Sequence, residues 1–199
     1  MINKDLFLEF ALSKFVQFGS KRFTLDELAN EMGMSKKTIY ENFASKEVII
    51  QESLDLFLNK TRSKMDQCVK REKSNPILAV IAVYKIGLDS LKNFSPAFLY
   101  GLRKYYPKVD SYFNHFRADY IHTTVRDLLL RAQELGHIKK DINVNTICLL
   151  YLERLPLLIF TEENLFEKFS VEEILKTFIV HNIRGIATLS YLEKNDHLL

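Results

Sequence analysis

Residues 24–43 have the sequence TLDELANEMGMSKKTIYENF, and this stretch predicts two short helices joined by a tight turn. Thr24-Leu25-Asp26-Glu27 has the Thr-x-x-Glu pattern of a capping box, which marks a helix start. Glycine in Met32-Gly33 favours a helix end, because glycine adopts a positive φ without strain. Ser35 is a good N-cap, so the second helix is expected from Ser35 to about Phe43.

The spacing of small and apolar residues indicates that these two helices cross closely. Ala29 lies four residues before Gly33, and Ile39 lies six residues after it. A small side chain at Ala29 allows the next helix to approach, and Ile39 can anchor that helix against Leu28 and Met32. This is the spacing of a helix-turn-helix. The alternative is a helical hairpin within a bundle that binds nothing.

The second of these helices has two different faces. Ile39 and Phe43 are spaced i, i+4 and are expected to point inward. In a helix-turn-helix the N-terminal residues of this helix reach base edges in the major groove. Lysine can donate to guanine, asparagine can pair with adenine, and hydroxyls can bond phosphates. The DNA-facing residues predicted on this ground are Ser35, Lys36, Lys37, Thr38, Tyr40 and Asn42.

The rest of the chain has helical periodicity, which predicts an all-α fold. Nine helices are expected, at 3–18, 25–32, 35–43, 45–73, 76–94, 96–106, 107–135, 143–160 and 171–193, with either Asn143 or Asn145 as the cap of the eighth. The apolar stripe of helix 107–135 drifts around its axis, so this helix is expected to kink or change packing partner midway. Pro156 is expected to bend helix 143–160. Ser170 begins a second capping box.

Composition argues against several classes of protein. The 28 basic and 25 acidic residues give a net charge of +3, and the first 47 residues contain seven of each. Any nucleic-acid surface must therefore arise from local clustering of charge. Cys68 and Cys148 lie far apart without a CxxC motif, which argues against a zinc site or a disulfide framework. No signal peptide or membrane-spanning run is expected, and a cytoplasmic protein without a cofactor is predicted.

The run FGSKRFTLDELANEMGMSKKTIYENFASKEVI at 18–49 resembles the N-terminal domain of the TetR/AcrR family of bacterial transcriptional regulators. The resemblance rests on an aromatic-Gly pair, a Thr at the helix start, an Ala-x-x-x-Gly core and a Ser-Lys-x-Thr-Ile-Tyr run. An aromatic residue and Ser-Lys-Glu follow. These are Phe18-Gly19, Thr24, Ala29, Gly33, the run 35–40, Phe43 and Ser45-Lys46-Glu47.

The resemblance implies a DNA-binding domain at 1–46 and an effector-binding and dimerisation domain at 47–199. It implies a homodimeric repressor that binds a pseudo-palindromic operator and is released by a small effector. By the same resemblance Thr24, Thr38, Tyr40 and Lys46 are phosphate contacts. Lys36 and Lys37 are contacts to bases or phosphates. Asn42 departs from the histidine often found in the family.

The larger predicted domain contains candidates for two further sites. Concentrated aromatic residues suit a pocket for an apolar or aromatic effector. The ligand candidates are Tyr84, Phe94, Phe98, Phe113, Phe116, Tyr120 and Tyr151. The last two predicted helices have enough apolar surface for a four-helix dimer interface. The interface candidates are Leu149, Leu152, Ile174, Phe178, Ile183, Gly185 and Ile186.

Two other readings of the sequence are open. His115, Asp119 and His122 are spaced like metal ligands, but helical projection favours a solvated polar stripe. A helical di-metal enzyme needs paired Glu-x-x-His motifs, whereas this chain has a single Asp-x-x-His, so no metal site and no enzyme are predicted. The stronger alternative is a DNA-binding protein of this fold without a small effector, acting as an architectural or protein-recruiting factor.

Overall fold

A computed structural model describes residues 3–152 and 164–195, and it confirms the all-α fold. The first seven helices are α1 (Lys4–Phe18), α2 (Leu25–Glu31), α3 (Lys36–Asn42), α4 (Lys46–Arg71), α5 (Pro76–Leu91), α6 (Pro96–Tyr105) and α7 (Pro107–Tyr120). The later helices are α8 (Arg126–Glu134), α9 (Val144–Ile147), α10 (Val171–Leu175), α11 (His181–Ile186) and α12 (Leu189–Asn195). A 3₁₀ turn forms at Leu165–Glu167.

Most of these helices begin at a side chain that caps the free backbone amides. The capping side chain accepts a hydrogen bond from an amide in the first turn, which a helix leaves unsatisfied. The residues that do so are Asn3, Thr24, Ser35, Asn75, Ser95, Asn143 and Ser170. The capping boxes predicted at Thr24 and Ser170 and the cap predicted at Ser35 are therefore confirmed.

The chain divides into two compact units. The first contains residues up to 60 together with 93–116, and the second contains 61–92 together with the chain from 117 onward. The largest fully buried side chains of the first unit include Phe7, Phe15, Leu28, Phe98 and Phe113. The core of the second unit includes Ile77, Val80, Val125, Leu129 and Ile179. The functional domain boundary at residue 46 stays a prediction, since packing units need not coincide with functional domains.

The helix predicted at 107–135 is continuous, but it contains a π-helical turn at Ile121–Val125 between α7 and α8. A π turn adds one residue to a helical turn and so rotates the following apolar stripe. The helix also passes from the first unit to the second after residue 116. The drift in the apolar pattern therefore corresponds to a change of packing partner. Further π turns form at Cys148–Leu152 and Lys176–Val180.

The prediction of one unbroken helix at 171–193 is wrong. Ala187 has extended backbone and forms an antiparallel bridge with Ile138, and the amide of Thr188 donates to the carbonyl of His137 at 2.9 Å. The Thr188 hydroxyl then accepts from the amide of Tyr191 and starts α12. The predicted bend at Pro156 lies outside the described residues.

Candidate nucleic-acid interface

The turn between α2 and α3 has the hydrogen bonds of a Schellman motif. The amide of Gly33 donates to the carbonyl of Asn30 at 3.2 Å, and the amide of Met34 donates to that of Ala29 at 3.0 Å. Gly33 has a φ of +62°, and a Cβ built there would meet nothing within 4 Å. Glycine is therefore needed here for its backbone conformation rather than for space.

Apolar contacts hold α3 in place from one side. Ile39 and Phe43 are buried, as predicted, and so are Leu28 and Ala29 of α2. The ring of Phe43 stacks on that of Phe7 in α1, with centroids 4.9 Å apart. Seven residues form too short a helix to be stable alone, so this packing fixes the orientation of α3.

The opposite face of α3 presents Lys37 and Tyr40 to solvent. The side chain of Lys37 is 86% exposed and reaches Glu41 only at 3.9 Å, while Tyr40 is 51% exposed. Lys36 behaves differently, because its ammonium forms an ion pair with Asp26 of α2 at 2.8 Å. That hydrogen bond raises the pKa of Lys36. Spacing along the chain gave no signal for this partner.

The shorter polar side chains of α3 are partly engaged within the helix. The Ser35 hydroxyl accepts from the amide of Thr38 at 3.0 Å and lies 2.8 Å from the Thr38 hydroxyl. The Asn42 amide donates to the carbonyl of Thr38 at 2.8 Å. Ser35 and Asn42 remain exposed. Contact with DNA stays a prediction for all three, and base contact by Asn42 would require its amide to leave this hydrogen bond.

Thr24 caps α2 through both of its polar groups. Its hydroxyl accepts from the amide of Glu27 at 3.2 Å and donates to the Glu27 carboxylate at 2.8 Å. The backbone amide of Thr24 donates to the same carboxylate at 2.6 Å. These bonds, the backbone one first, lower the pKa of Glu27. The exposed Thr24 therefore lies at a rigid helix start, which is where a phosphate contact is predicted.

Lys46 is half-buried at the start of α4. Its ammonium donates to the carbonyls of Phe23 at 2.5 Å and Lys21 at 3.3 Å, and it lies 5.3 Å from the centroid of the Phe15 ring. Burial, and then the charge of Lys21, lowers the pKa of Lys46 to about 8. An ammonium has three donors, so one is left for the predicted phosphate contact.

The predicted effector residues fall into both units. Phe94, Phe98 and Phe113 are buried against one another in the first unit, with Phe94 at 5.3 Å from Phe98 and 5.9 Å from Phe113 between ring centroids. Phe116 is half-buried there, 6.5 Å from Tyr112. Tyr84 and Tyr120 belong to the core of the second unit. The side chain of Tyr151 lies outside the described residues.

The described part of the chain contains grooves that lie away from these residues. A groove of about 440 Å³ in the second unit is lined by Val69, Lys70, Lys73, Pro76, Leu128 and Arg131. A second of about 340 Å³ in the first unit is lined by Phe18, Arg22, Phe23, Glu27, Asn30 and Glu31. Neither includes a predicted ligand residue. The tight packing of these aromatic side chains shows that they contribute to the cores.

The predicted dimer residues also divide by exposure. Ile174, Ile183 and Ile186 are buried in the core of the second unit, so they have little surface left for a partner. The reason is that α10 and α11 use these side chains within their own unit. Leu149 is exposed, Phe178 is partly buried, and a Cβ at Gly185 would meet nothing within 4 Å. The side chain of Leu152 lies outside the described residues.

His115, Asp119 and His122 are exposed along the α7–α8 helix, in agreement with a solvated stripe. Over residues 3–152 and 164–195, no three histidine, cysteine or acidic side chains gather as metal ligands would. Cys68 and Cys148 are both buried free thiols. None of the described helices combines the length and the apolar character that crossing a membrane requires.

The geometry of α2 and α3 defines a helix-turn-helix protein. Residues 7–52 match the family model of bacterial regulatory proteins of the tetR family. The "Uncharacterized HTH-type transcriptional regulator YhgD" of Bacillus subtilis (strain 168) is 36% identical over 67 residues, which cover 34% of this chain and 35% of that relative. Residues 7–52 therefore form a helix-turn-helix domain of the tetR type, and the aligned stretch spans about a third of that relative's length.

Solved structures agree with this fold over most of the chain. The ketosteroid transcriptional regulator KstR2 of Mycobacterium tuberculosis has a TM-score of 0.68 at 17% identity, covering 94% of this chain and 97% of that one. The TetR family transcriptional regulator PfmR from Thermus thermophilus has a TM-score of 0.68 at 22% identity, covering 89% and 97%. At these identities the likeness concerns the fold.

Proposed function

We propose that this protein is a DNA-binding transcriptional regulator whose α3 enters the major groove. The observation that carries this proposal is the two-sided character of α3. Ile39 and Phe43 are buried and pack α3 against the preceding helices, while Lys37 and Tyr40 are exposed to solvent. A rigid helix with exposed cationic and hydroxyl donors matches the donor requirements of base edges and phosphates.

We further propose that the protein acts as a homodimeric repressor on a pseudo-palindromic operator. Two copies of α3 would then bind half-sites about 34–36 Å apart. Exposed Leu149 and the open side of Gly185 support a partner surface near α9 and α11. Sedimentation of the Leu149→Glu variant tests this surface. We expect the dimer to dissociate, and an unchanged mass would reject the assignment.

The DNA-binding proposal is tested by selecting duplexes from a random pool with the purified full chain. We expect an inverted repeat, and the binding constant should fall steeply with salt because bound phosphates release counterions. A flat salt response, or no enriched sequence, would contradict DNA binding.

Variants identify the surface that carries the binding. The double variant Lys37→Ala, Tyr40→Ala should lose most of its affinity for the selected duplex and keep the melting temperature of the wild type, because both side chains are exposed. Lys92→Ala is a control, since its exposed ammonium pairs with Asp89 at 3.2 Å in the second unit, outside α3 and the proposed partner surface. If the double variant and the control bound the selected duplex with equal affinity, α3 would be rejected as the recognition helix.

The proposed effector is a small apolar or aromatic molecule that shifts the protein toward a conformation unable to bind the operator. The abundance of buried aromatic side chains supports this class, although the described cores are closely packed around them. A thermal-stability screen with apolar compounds tests the idea, since a ligand of the native state raises the melting temperature. Failure of every compound to stabilise the protein would favour the alternative of a factor without an effector.

A further inference from the structure

The cations of the first unit fall into two groups. Five lysines lie within 4.0 Å of a carboxylate, and they are Lys4, Lys14, Lys36, Lys37 and Lys60. Within the described residues the other six cations have no carboxylate at that distance, and they are Lys21, Arg22, Lys46, Arg103, Lys104 and Lys108. The members of the second group lie in the α1–α2 turn, at the start of α4 and around the α6–α7 junction, and the charge of Glu27 acts on two of them, Arg22 and Lys46.

Helix α6 is held firmly against the end of α1. The hydroxyl of Ser95 donates to the carbonyl of Val16 at 2.5 Å. At Gly101 a Cβ would lie 2.3 Å from the hydroxyl oxygen of Ser20, so only glycine permits this approach. The backbone of α6 therefore has a fixed position relative to the turn that precedes α2.

Tyr100, Lys104 and Tyr105 of α6 and Lys21 of the α1–α2 turn lie against one another. We call these four residues the α6 cluster. The Lys104 ammonium lies 5.4 Å from the centroid of each tyrosine ring, and that of Lys21 lies 5.1 Å from the ring of Tyr105. Tyr100 and Tyr105 are 60% and 41% exposed.

An aromatic ring holds an ammonium differently from a carboxylate. The attraction positions the cation, but the ring has no net charge, so the full positive charge remains available to an outside anion. The hydrogen bond from Lys104 to Tyr100 raises the pKa of Lys104. The cluster therefore presents two positioned cations and two exposed hydroxyls, a combination that phosphate oxygens accept.

The α6 cluster is continuous with the predicted interface. Lys46 donates to the backbone carbonyl of Lys21, the same residue whose side chain reaches Tyr105. Burial and the charge of Glu47, at the start of α4, raise the pKa of Tyr106, the residue that follows α6. Glu27 and Glu47 are the acidic side chains that act on this region, through Lys46 and Tyr106.

We propose that the α6 cluster binds backbone phosphates of duplex DNA, in addition to the phosphates contacted by the helix-turn-helix. This inference rests on the proposed function, and it extends the DNA-binding surface onto a helix outside the predicted DNA-binding domain. Contacts with phosphate carry no sequence information, so the cluster contributes affinity and salt dependence but not base preference.

The test compares Lys104→Met with Lys60→Met on the full chain. Methionine keeps an aliphatic stem and removes the charge, and Lys60 is a matched lysine of the same unit that is already paired with Glu9. Each phosphate that a variant no longer neutralises should reduce the slope of log K against log salt by about 0.9, or roughly twice that in a symmetric dimer. At 0.1 M salt this corresponds to about a tenfold loss of affinity per phosphate.

The probes are the duplex selected above and a random duplex of equal length. Lys104→Met should lower the affinity for both duplexes by the same factor. Lys60→Met should bind both duplexes with the affinity of the wild type. Tyr105→Leu should reproduce part of the loss and Tyr105→Phe less of it, because phenylalanine keeps the ring that positions the cations. Melting temperatures within a degree or two of the wild type show that each variant is folded.

Three results would overturn the inference. Unchanged affinity and salt slope in Lys104→Met would reject the α6 cluster while leaving DNA binding by α3 intact. A loss confined to the selected duplex would indicate base reading instead of phosphate contact. Weakened repression in cells with unchanged DNA binding would assign the cluster to a protein partner. If the wild type itself fails to bind DNA, the proposed function fails first, and the two failures are thereby distinguished.

Discussion

The two compact units of this protein differ in what defines their helices. In the first, α2 and α3 have seven residues each, and Thr24, Gly33 and Ser35 fix their ends. In the second, the helical runs contain π turns at 121–125, 148–152 and 176–180, none of which contains proline or glycine. Local signals therefore define the helices of the first unit, whereas in the second unit, where Asn75, Asn143 and Ser170 also cap helices, packing adjusts the helices further.

The largest expected effect comes from removing one buried side chain from each unit. Ile39→Ala and Leu129→Ala should each lower the free energy of unfolding by about 2–5 kcal/mol, since both residues are fully buried. Urea denaturation provides the measurement. Only Ile39→Ala should also weaken DNA binding by the folded protein, because Ile39 anchors α3. Equal DNA affinities of the two variants would contradict the expectation that DNA binding depends on the core of the first unit and not on that of the second.

The next effect concerns two glycines with positive φ. Gly33→Ala in the first unit and Gly136→Ala in the second should each cost about 1–2 kcal/mol, because their φ values of +62° and +74° strain an L-residue. Neither site is crowded, so the cost is conformational and should be similar. Thermal denaturation checks this, and a stabilised variant at either site would show that the backbone relaxes there.

The two capping boxes offer a matched pair of smaller effect. Thr24→Ala and Ser170→Ala should each lower the free energy of unfolding by about 1 kcal/mol, because each removes an equivalent helix cap. If Thr24 contacts phosphate, Thr24→Ala should in addition weaken DNA binding, and Ser170→Ala should not. Parallel loss of DNA affinity in both variants would show that the effect is one of stability alone.

The last effect is a pH dependence specific to the first unit. Because the pKa of Lys46 is lowered to about 8, the folded state releases this proton before the unfolded state does. Burial of the Lys46 ammonium destabilises the folded state fully below pH 8. This destabilisation disappears as the pH rises from about 8 toward about 10.4, the pKa of a lysine in the unfolded chain. The free energy of unfolding of the wild type relative to Lys46→Met should therefore rise across this window. A constant difference would place the ammonium in solvent.

The sequence was sufficient for the helix-turn-helix and for the orientation of α3. Caps act within one turn, and the i, i+4 spacing of Ile39 and Phe43 selects one buried face. The ion pair between Lys36 and Asp26 could not be predicted, because it joins two helices whose crossing decides which side chains meet. The hydrogen bonds from the half-buried Lys46 ammonium to the carbonyls of Lys21 and Phe23 could not be predicted for the same reason.

The later helices were harder to predict. Ile174, Ile183 and Ile186 are predicted at a dimer interface because a terminal helix with much apolar surface needs a partner, and in the structure the second unit itself buries these side chains. The break at Ala187 depends on a bridge to Ile138, a residue far away along the chain. No periodicity within 171–193 contains that information.

By itself the sequence determined the helix starts, the turn at Gly33 and the residues that α3 exposes, because each depends on atoms within a few residues. Only the tertiary structure decided which lysines are neutralised and which remain available. That choice depends on distances between helices, and it leaves Lys21 and Lys104 beside tyrosine rings instead of carboxylates. A nearly neutral chain thereby acquires a locally cationic surface.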